Sequence, residues 1–236
     1  MIELCIRDVS LFSTRHASAH DVIAGIEREA TPPAYKLLVG RARRFTSLVT
    51  QLHMEVAGAL TIEPERPPVT VFATTHGEIQ TAENLIADFR DNRVVSSARF
   101  ALSVHNTPSG LYSVATGNTA ASTTLTGANA IAASWLEAAL TVLDADRDVL
   151  LSIADEPIPA VFHGPSEPSG IGAAFLLAQD TGRAAQLAIV DEARAPIDAG
   201  TTLAQLAEAI RLDAAATVHL GQLSPTQALE LRVAAR

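Results

Sequence analysis

Residues 119–139, TAASTTLTGANAIAASWLEAA, are built almost entirely from small side chains, and no other stretch constrains the fold as tightly. A helix with few large side chains lets neighbouring backbones approach closely, so it belongs at the centre of a closely layered molecule. The spacing predicts that helix over residues 122–143, entered from a polar loop through Thr119-Ala120-Ala121-Ser122-Thr123. The start of such a helix carries unpaired N–H groups and the positive end of the helix dipole. It suits an anion, a thiolate or a thioester carbonyl.

The remaining sequence points to the same kind of molecule. Of 236 residues 48% are hydrophobic but only 4% aromatic, so the core must be assembled from Ala, Val, Leu and Ile. Short apolar runs over residues 2–6, 69–73, 149–153, 171–177 and 187–190 read as strands, several with both faces buried. Helical periodicity covers residues 43–60 (Leu48, Leu52, Val56, Leu60), 78–89 (Leu85, Ile86, Phe89) and 201–211 (Leu203, Leu206, Ala207, Ile210). Residues 13–36, with Pro32-Pro33, read as an irregular connection holding a short helix, and 90–117 and 157–170 as loops. Residues 229–233 alternate as an edge or half-buried strand does. This mixture is an α/β domain, with a mixed sheet covered by helices on both faces.

A net charge of −9 excludes general nucleic-acid binding, which needs clustered Lys and Arg. Cys5 is the single cysteine; it lies in the apolar first strand and reads as a small buried hydrophobe. An intrachain disulfide is impossible, which fits a reducing, cytoplasmic setting. No uncharged apolar run reaches the length of a membrane span, and residues 130–143 are interrupted by Glu137. Met1-Ile2-Glu3 lacks a basic leader, so no targeting segment is expected. Asp144, Asp146 and Asp148 lack the glycine and terminal glutamate of a calcium loop and read as a polar turn. His163, His219 and the other histidines show no metal-ligand spacing, so neither metal nor cofactor is expected.

Three motifs taken together carry a resemblance: Ser103-Val104-His105-Asn106-Thr107-Pro108-Ser109-Gly110, Thr75-His76-Gly77-Glu78, and Thr119 to Thr123. Over roughly residues 1–190 the chain resembles the β-ketoacyl synthases of the thiolase-like superfamily. It is most similar to a short branch found in bacterial aryl-polyene and xanthomonadin-type pigment clusters. The family's nucleophile elbow reads Thr-Ala-Cys-Ser-Ser before a helix of small residues, and the resemblance puts Ala121 at the cysteine position. The thiolate is the attacking species in such enzymes, and a methyl group cannot replace it. The family's decarboxylating histidines belong to a second α/β half. After Ala193 this sequence offers one helix, His219 and a short strand.

The resemblance therefore implies a thiolase-like layered fold, a single N-terminal-type half of a ketosynthase spanning residues 1–236, with no catalytic residue. It implies a non-catalytic, chain-length-factor-like homologue that forms a heterodimer with a full-length β-ketoacyl synthase. Such a subunit shapes the acyl tunnel in type II, fatty-acid- or polyketide-like aryl-polyene biosynthesis. Those relatives usually carry glutamine where the cysteine was, and alanine departs from that pattern. The candidate interface and tunnel residues implied are His105, Asn106, Thr107, Ser109, Leu111, Tyr112, Thr119 and Ser122, with Trp135 and Leu136 behind them.

Other readings stand beside this one. Lys36, Arg41, Arg43 and Arg44 form a basic run in an acidic chain; it is either a solvated helix start or a contact for an acidic acyl carrier protein. His76 and Glu78 are an acid–base pair or, as we favour, a strand-end turn whose Glu78 begins a helix. His105 and Asn106 also suit a loop-fixing network. Ser122 could serve an independent acyltransferase or thioesterase, although capping explains the hydroxyls better. A self-associating scaffold is the third class.

Overall fold

The structure is a computed structural model and describes residues 1–162, 169–192 and 194–235, without the side chain of Arg41. The strands are β1 (Ile2–Ser13), β2 (Val69–Thr74), β3 (Ser122–Thr126), β4 (Val149–Asp155), β5 (Ile171–Ala178), β6 (Arg183–Val190), β7 (Ala216–Ser224) and β8 (Gln227–Val233). The helices are α1 (Ala19–Ala24), α2 (Arg41–Phe45), α3 (Leu48–Ala59), α4 (Ile79–Asn92), α5 (Ser97–Ala101), α6 (Thr107–Thr116), α7 (Ala130–Asp144) and α8 (Ala199–Arg211). All eight strands join one mixed sheet in the order β3-β2-β4-β5-β1-β6-β8-β7, with β3, β2 and β4 parallel and the other pairings antiparallel.

The central strands are apolar on both faces, and alternate residues feed two cores. Val71, Leu151, Ile153, Ala173 and Phe175 turn toward α7 and α8, while Phe72, Leu150, Ala174 and Leu176 turn toward α3 and α6. The expected arrangement, with helices on both faces, is therefore present. In α7, Ala132, Ala138 and Ala139 are fully buried against the sheet, so small side chains there do bring backbones together. The fully buried Trp135 fills the largest gap, its ring centroid 5.0 Å from that of Phe175.

Two expectations are corrected. Residues 122–126 are not the start of the central helix but the parallel edge strand β3, and the helix begins at Ala130. The run Ser-Thr-Thr-Leu-Thr is rich in β-branched side chains, which favour a pleated surface. The supposed loop 90–117 contains α5 and α6; Ser96 caps the first by accepting the Arg99 N–H, and Pro108 opens the first turn of the second. The last forty residues extend the sheet: β8 inserts between β6 and β7, and α8 packs on β1, β5 and β7.

Arg183 secures that C-terminal unit. Its guanidinium is almost wholly buried and donates to the carbonyls of Ala209, Ile210, Ala214 and Ala234 at 2.7–2.9 Å. Two of these lie in the last turn of α8, where a cation is favoured and carbonyls lack helical partners.

On the opposite face, Glu156 joins two helices to the end of β4. Its Oε2 accepts the Val49 N–H at the start of α3 (3.1 Å), and its Oε1 accepts the Gln80 N–H at the start of α4 (3.0 Å). Burial, with Glu78 and Asp155 nearby, pushes its pKa up to about 7. Glu78 is also buried and raised; its carboxylate accepts from Thr50 Oγ1 (2.5 Å) and Thr81 Oγ1 (3.2 Å). His53, on α3, lies 2.8 Å from Ser152 Oγ through Nδ1, and burial pulls its pKa down to about 3.

Two predictions follow from these buried charges. Arg183→Met leaves four carbonyls without a donor and should cost about 2–4 kcal/mol in urea unfolding, against under about 0.5 kcal/mol for an exposed substitution. A neutral result would show that α8 is held by packing alone. The pH profile has a definite sign. A raised carboxyl contributes stability that is complete below its ordinary value of 4.5 and lost as pH rises through about 7. The depressed His53 contributes stability that is present above 6.5 and lost as pH falls toward about 3. The urea midpoint should fall between pH 6.5 and about pH 8, and Glu156→Gln should flatten that limb while leaving the acid-side loss in place. Parallel profiles for the two proteins would exclude Glu156 as the origin.

Candidate functional site

The parallel strands β2, β3 and β4 end together, and open α/β sheets place their sites at the carboxyl ends of such strands. A cleft of about 880 Å3 lies there. Its floor is the β3–α7 elbow, Ala128 and Asn129, beside Thr75 and His76 after β2 and Asp155 and Glu156 at the end of β4. The walls come from α1 and from the C-terminal unit, through Ile197, Asp198, Leu220 and Gln222. The tail of the chain thus does a second job beyond extending the sheet: it encloses the cleft.

The elbow is sharp for a physical reason. Gly127 has φ +114°, a conformation that side chains disfavour, and its N–H donates to the Thr75 carbonyl at 3.1 Å. The chain then turns directly into α7, with the Ala130 N–H donating to the Gly127 carbonyl at 2.9 Å. Ala128 and Asn129 are exposed at the mouth of this small-residue helix.

This moves the elbow away from the position read in the sequence. Ala121 precedes β3, and its carbonyl accepts the Thr70 N–H at 3.0 Å. Thr119 and Ser122 lie at the same end, and Ser122 Oγ accepts from Thr70 Oγ1 at 2.8 Å. From Ser122 to Thr126 the strand extends roughly 13 Å, so Thr119, Ala121 and Ser122 sit at the wrong end of β3 to meet the cleft. The small-residue run is continuous through strand and helix, and only Gly127-Ala128-Asn129 marks the break.

Two of the sequence motifs do meet. A Cβ on Gly77 would lie 3.6 Å from the Cβ of His105, so the Thr-His-Gly-Glu turn touches the loop that opens α6. His105 and Asn106 are exposed, while Thr107 and Ser109 are buried. Ser109 Oγ donates to the Asn106 carbonyl (2.9 Å) and lies 3.2 Å from Thr124 Oγ1, seating α6 against β3. Leu111 is half-buried. Tyr112 packs its ring on Phe72 at 5.8 Å, and burial pushes its pKa up to about 12. Trp135 belongs to the core, not to the cleft.

The acidic groups around the cleft are already engaged. Asp155 accepts from Thr74 Oγ1, Thr75 Oγ1 and the Thr75 N–H at 2.7–2.8 Å. Glu78 and Glu156 are held as described above. A perturbed carboxyl in a cleft is a common mark of catalysis, yet both oxygens of Glu156 accept backbone N–H groups. No cluster of His, Cys, Asp and Glu suited to a metal occurs among the described residues, and His163 lies outside them. His76 and His16 face the cleft without a nucleophilic side chain at the elbow. Among the described residues Arg43 and Arg44 make no ion pair; Arg43 lies over the Tyr35 ring, 3.7 Å from its centroid. No helix of the described residues is long and apolar enough to cross a membrane.

The comparisons agree with this geometry. The sequence profile of the β-ketoacyl synthase N-terminal domain matches residues 17–229. No curated protein matches the sequence. Among solved structures the chain is similar to one in the complex of the ketosynthase ApeO with its chain length factor ApeC from Xenorhabdus doucetiae. The TM-score is 0.74 at 17% identity, over 98% of this chain and 100% of that one. A second similar chain is in AntDE:AntF, a type II polyketide synthase acyl-carrier protein in complex with its ketosynthase bound to the hexaketide, with TM-score 0.76 at 10% identity over the whole of both chains. At such identities the likeness concerns the fold, which is the thiolase-like fold of ketosynthases. With a profile match across most of its length and a strand-to-helix elbow at the floor of its cleft, the chain belongs to the β-ketoacyl synthase N-terminal domain family.

Proposed function

We propose that this protein is a non-catalytic, chain-length-factor-like subunit that pairs with an active β-ketoacyl synthase. The observation that carries the reading is the elbow itself. The break between β3 and α7 supports setting the family pattern Thr-Ala-Cys-Ser-Ser against Thr126-Gly127-Ala128-Asn129-Ala130, with Ala128 in the nucleophile's place. The backbone still delivers a residue to the start of a small-residue helix, where a thiolate would be stabilised, but the residue delivered is a methyl group.

The partner surface fits at β3. This strand is the sheet's edge, and an edge offers unpaired N–H and C=O groups to a second chain. Exposed apolar side chains flank it: Val114 on α6, and Leu140 and Leu143 on α7. Thr123 Oγ1 lies 3.4 Å from Glu137, so Leu140, one turn further along α7, continues the face that touches β3. The complexes named for the two similar structures, a ketosynthase with a chain length factor and a ketosynthase with a carrier protein, support the same assignment. The pigment-pathway setting and an acyl-carrier contact through Arg41, Arg43 and Arg44 extend this reading. Among the described residues the hydrogen-bond partner of Ser122 Oγ is Thr70 Oγ1 and not a base, which counts against the independent acyl-thioester enzyme.

Co-expression with a ketosynthase encoded beside it, followed by native mass spectrometry, should give a one-to-one complex. Leu140→Asp with Val114→Asp should weaken that complex by about tenfold or more while leaving the fold intact, because both side chains already face solvent. A stable homodimer with no affinity for the ketosynthase would favour the scaffold instead. Ala128→Cys should not create a condensing enzyme, and condensation by the variant alone would contradict the proposal.

A further inference from the structure

A second cavity, of about 590 Å3, lies on the α3 side of the sheet and shares no lining residue with the elbow cleft. Its volume falls in the roughly 300–1,000 Å3 range of small-molecule sites. Phe12, Leu48 and Leu52 give it an apolar floor, and the segment 27–35, with Pro32-Pro33, forms another wall. Leu48 and Leu52 rest on the Gly170 backbone, where a Cβ would come within 3.0–3.1 Å of them. The segment is tied down at both ends. The Arg28 N–H donates to the Arg15 carbonyl at 3.0 Å, and the Glu55 carboxylate accepts the Ala34 and Tyr35 N–H groups at 2.7 and 2.8 Å.

The cationic and amide donors along this lining are spent. The Arg15 guanidinium pairs with Glu27, and Arg28 pairs with Asp21. Gln51 Nε2 donates to the carbonyls of Arg43 and Thr46, at 3.2 and 3.0 Å. Thr14 Oγ1 donates to the Gly170 carbonyl at 3.3 Å and accepts the Gly170 N–H at 2.9 Å. Arg43 covers the Tyr35 ring, 3.7 Å from its centroid, and does not line the cavity.

The acceptors are not spent. Glu29 lines the cavity and makes no ion pair or hydrogen bond among the described residues. Glu55 meets neutral backbone donors and no cation among those residues. A carboxylate offers roughly four acceptor positions, so two N–H groups leave about half of them open. With Arg15–Glu27 and Arg28–Asp21 each neutral as a pair, the lining keeps the negative charges of Glu29 and Glu55 uncompensated. An anion would meet no free cation here; a ligand that matches this lining brings donors and positive charge on an apolar body. We propose that this cavity binds a small organic cation, a primary ammonium on an apolar body, with the body against Phe12, Leu48 and Leu52 and the ammonium donating to Glu29 and Glu55. The assignment rests on this cavity alone and stands or falls separately from the partner reading.

Calorimetry with phenethylamine and with hexylamine tests it and separates an aromatic from an aliphatic body. One or both should bind at one per chain, with the alcohol and the carboxylate of the same body weaker by about tenfold or more. Glu29→Gln, at an exposed position, should weaken the amine by about tenfold and leave the alcohol unchanged. Leu48→Trp, which fills the cavity from a half-buried position, should weaken amine and alcohol alike. Amide shifts of the unaltered protein on adding the amine should move over residues 27–35 and 48–55, which keeps the test valid if a variant folds poorly. Absence of binding by both amines up to about 5 mM would overturn the assignment. So would a carboxylate that binds as tightly as its amine, or shifts confined to the elbow cleft.

Discussion

Three strands without an exposed face set the terms for the rest of the molecule. Strands β2, β4 and β5 are buried on both sides, so their apolar residues must find apolar neighbours above or below the sheet and their few polar ones, Thr70, Thr74 and Ser152, a hydrogen-bond partner. With so few aromatic residues, that space is filled by bringing helices close, which is why α7 carries Ala132, Ala138 and Ala139 on its buried side. Close packing of this kind leaves little room for adjustment. The elbow at Gly127 inherits that rigidity, since its backbone is trapped between the end of β3 and the first turn of α7.

Around the elbow, polar groups are spent on architecture. Asp155 fixes the β2 exit, Glu78 ties Thr50 to Thr81, and Glu156 satisfies the first turns of two helices at once. A buried carboxylate is costly unless its oxygens are occupied, and here they are occupied by the scaffold. At the elbow itself the cleft is met by a methyl group and an amide, Ala128 and Asn129, with His16 and His76 nearby in the lining. The result is a cleft whose buried carboxylates are engaged by the scaffold.

Much of this was legible in the sequence. The double-faced strands announced themselves as unbroken apolar runs, and α3 and α8 as helical stripes, because both signals are local. The family resemblance lay in His105 to Gly110 and in the Thr-His-Gly-Glu turn, which the fold brings into contact. The elbow was misplaced because strand and helix share one small-residue composition. Its boundary was nevertheless present as Gly127 and as the β-branched run Thr123-Thr124 before it. The C-terminal hairpin was half seen: residues 229–233 read as a strand, whereas β7 did not, although Val218 and Leu220 alternate in it. Glu156 had no local signal at all: its partners Val49 and Gln80 are 107 and 76 residues away in sequence.

We propose that the fold of a condensing enzyme is kept here without its covalent chemistry. Intact-protein mass spectrometry of this chain together with a partner ketosynthase, during turnover of an acyl carrier thioester, tests it most directly. The account predicts the acyl mass on the partner and none on this chain. An acyl adduct on this chain that forms and decays at the rate of turnover would contradict it.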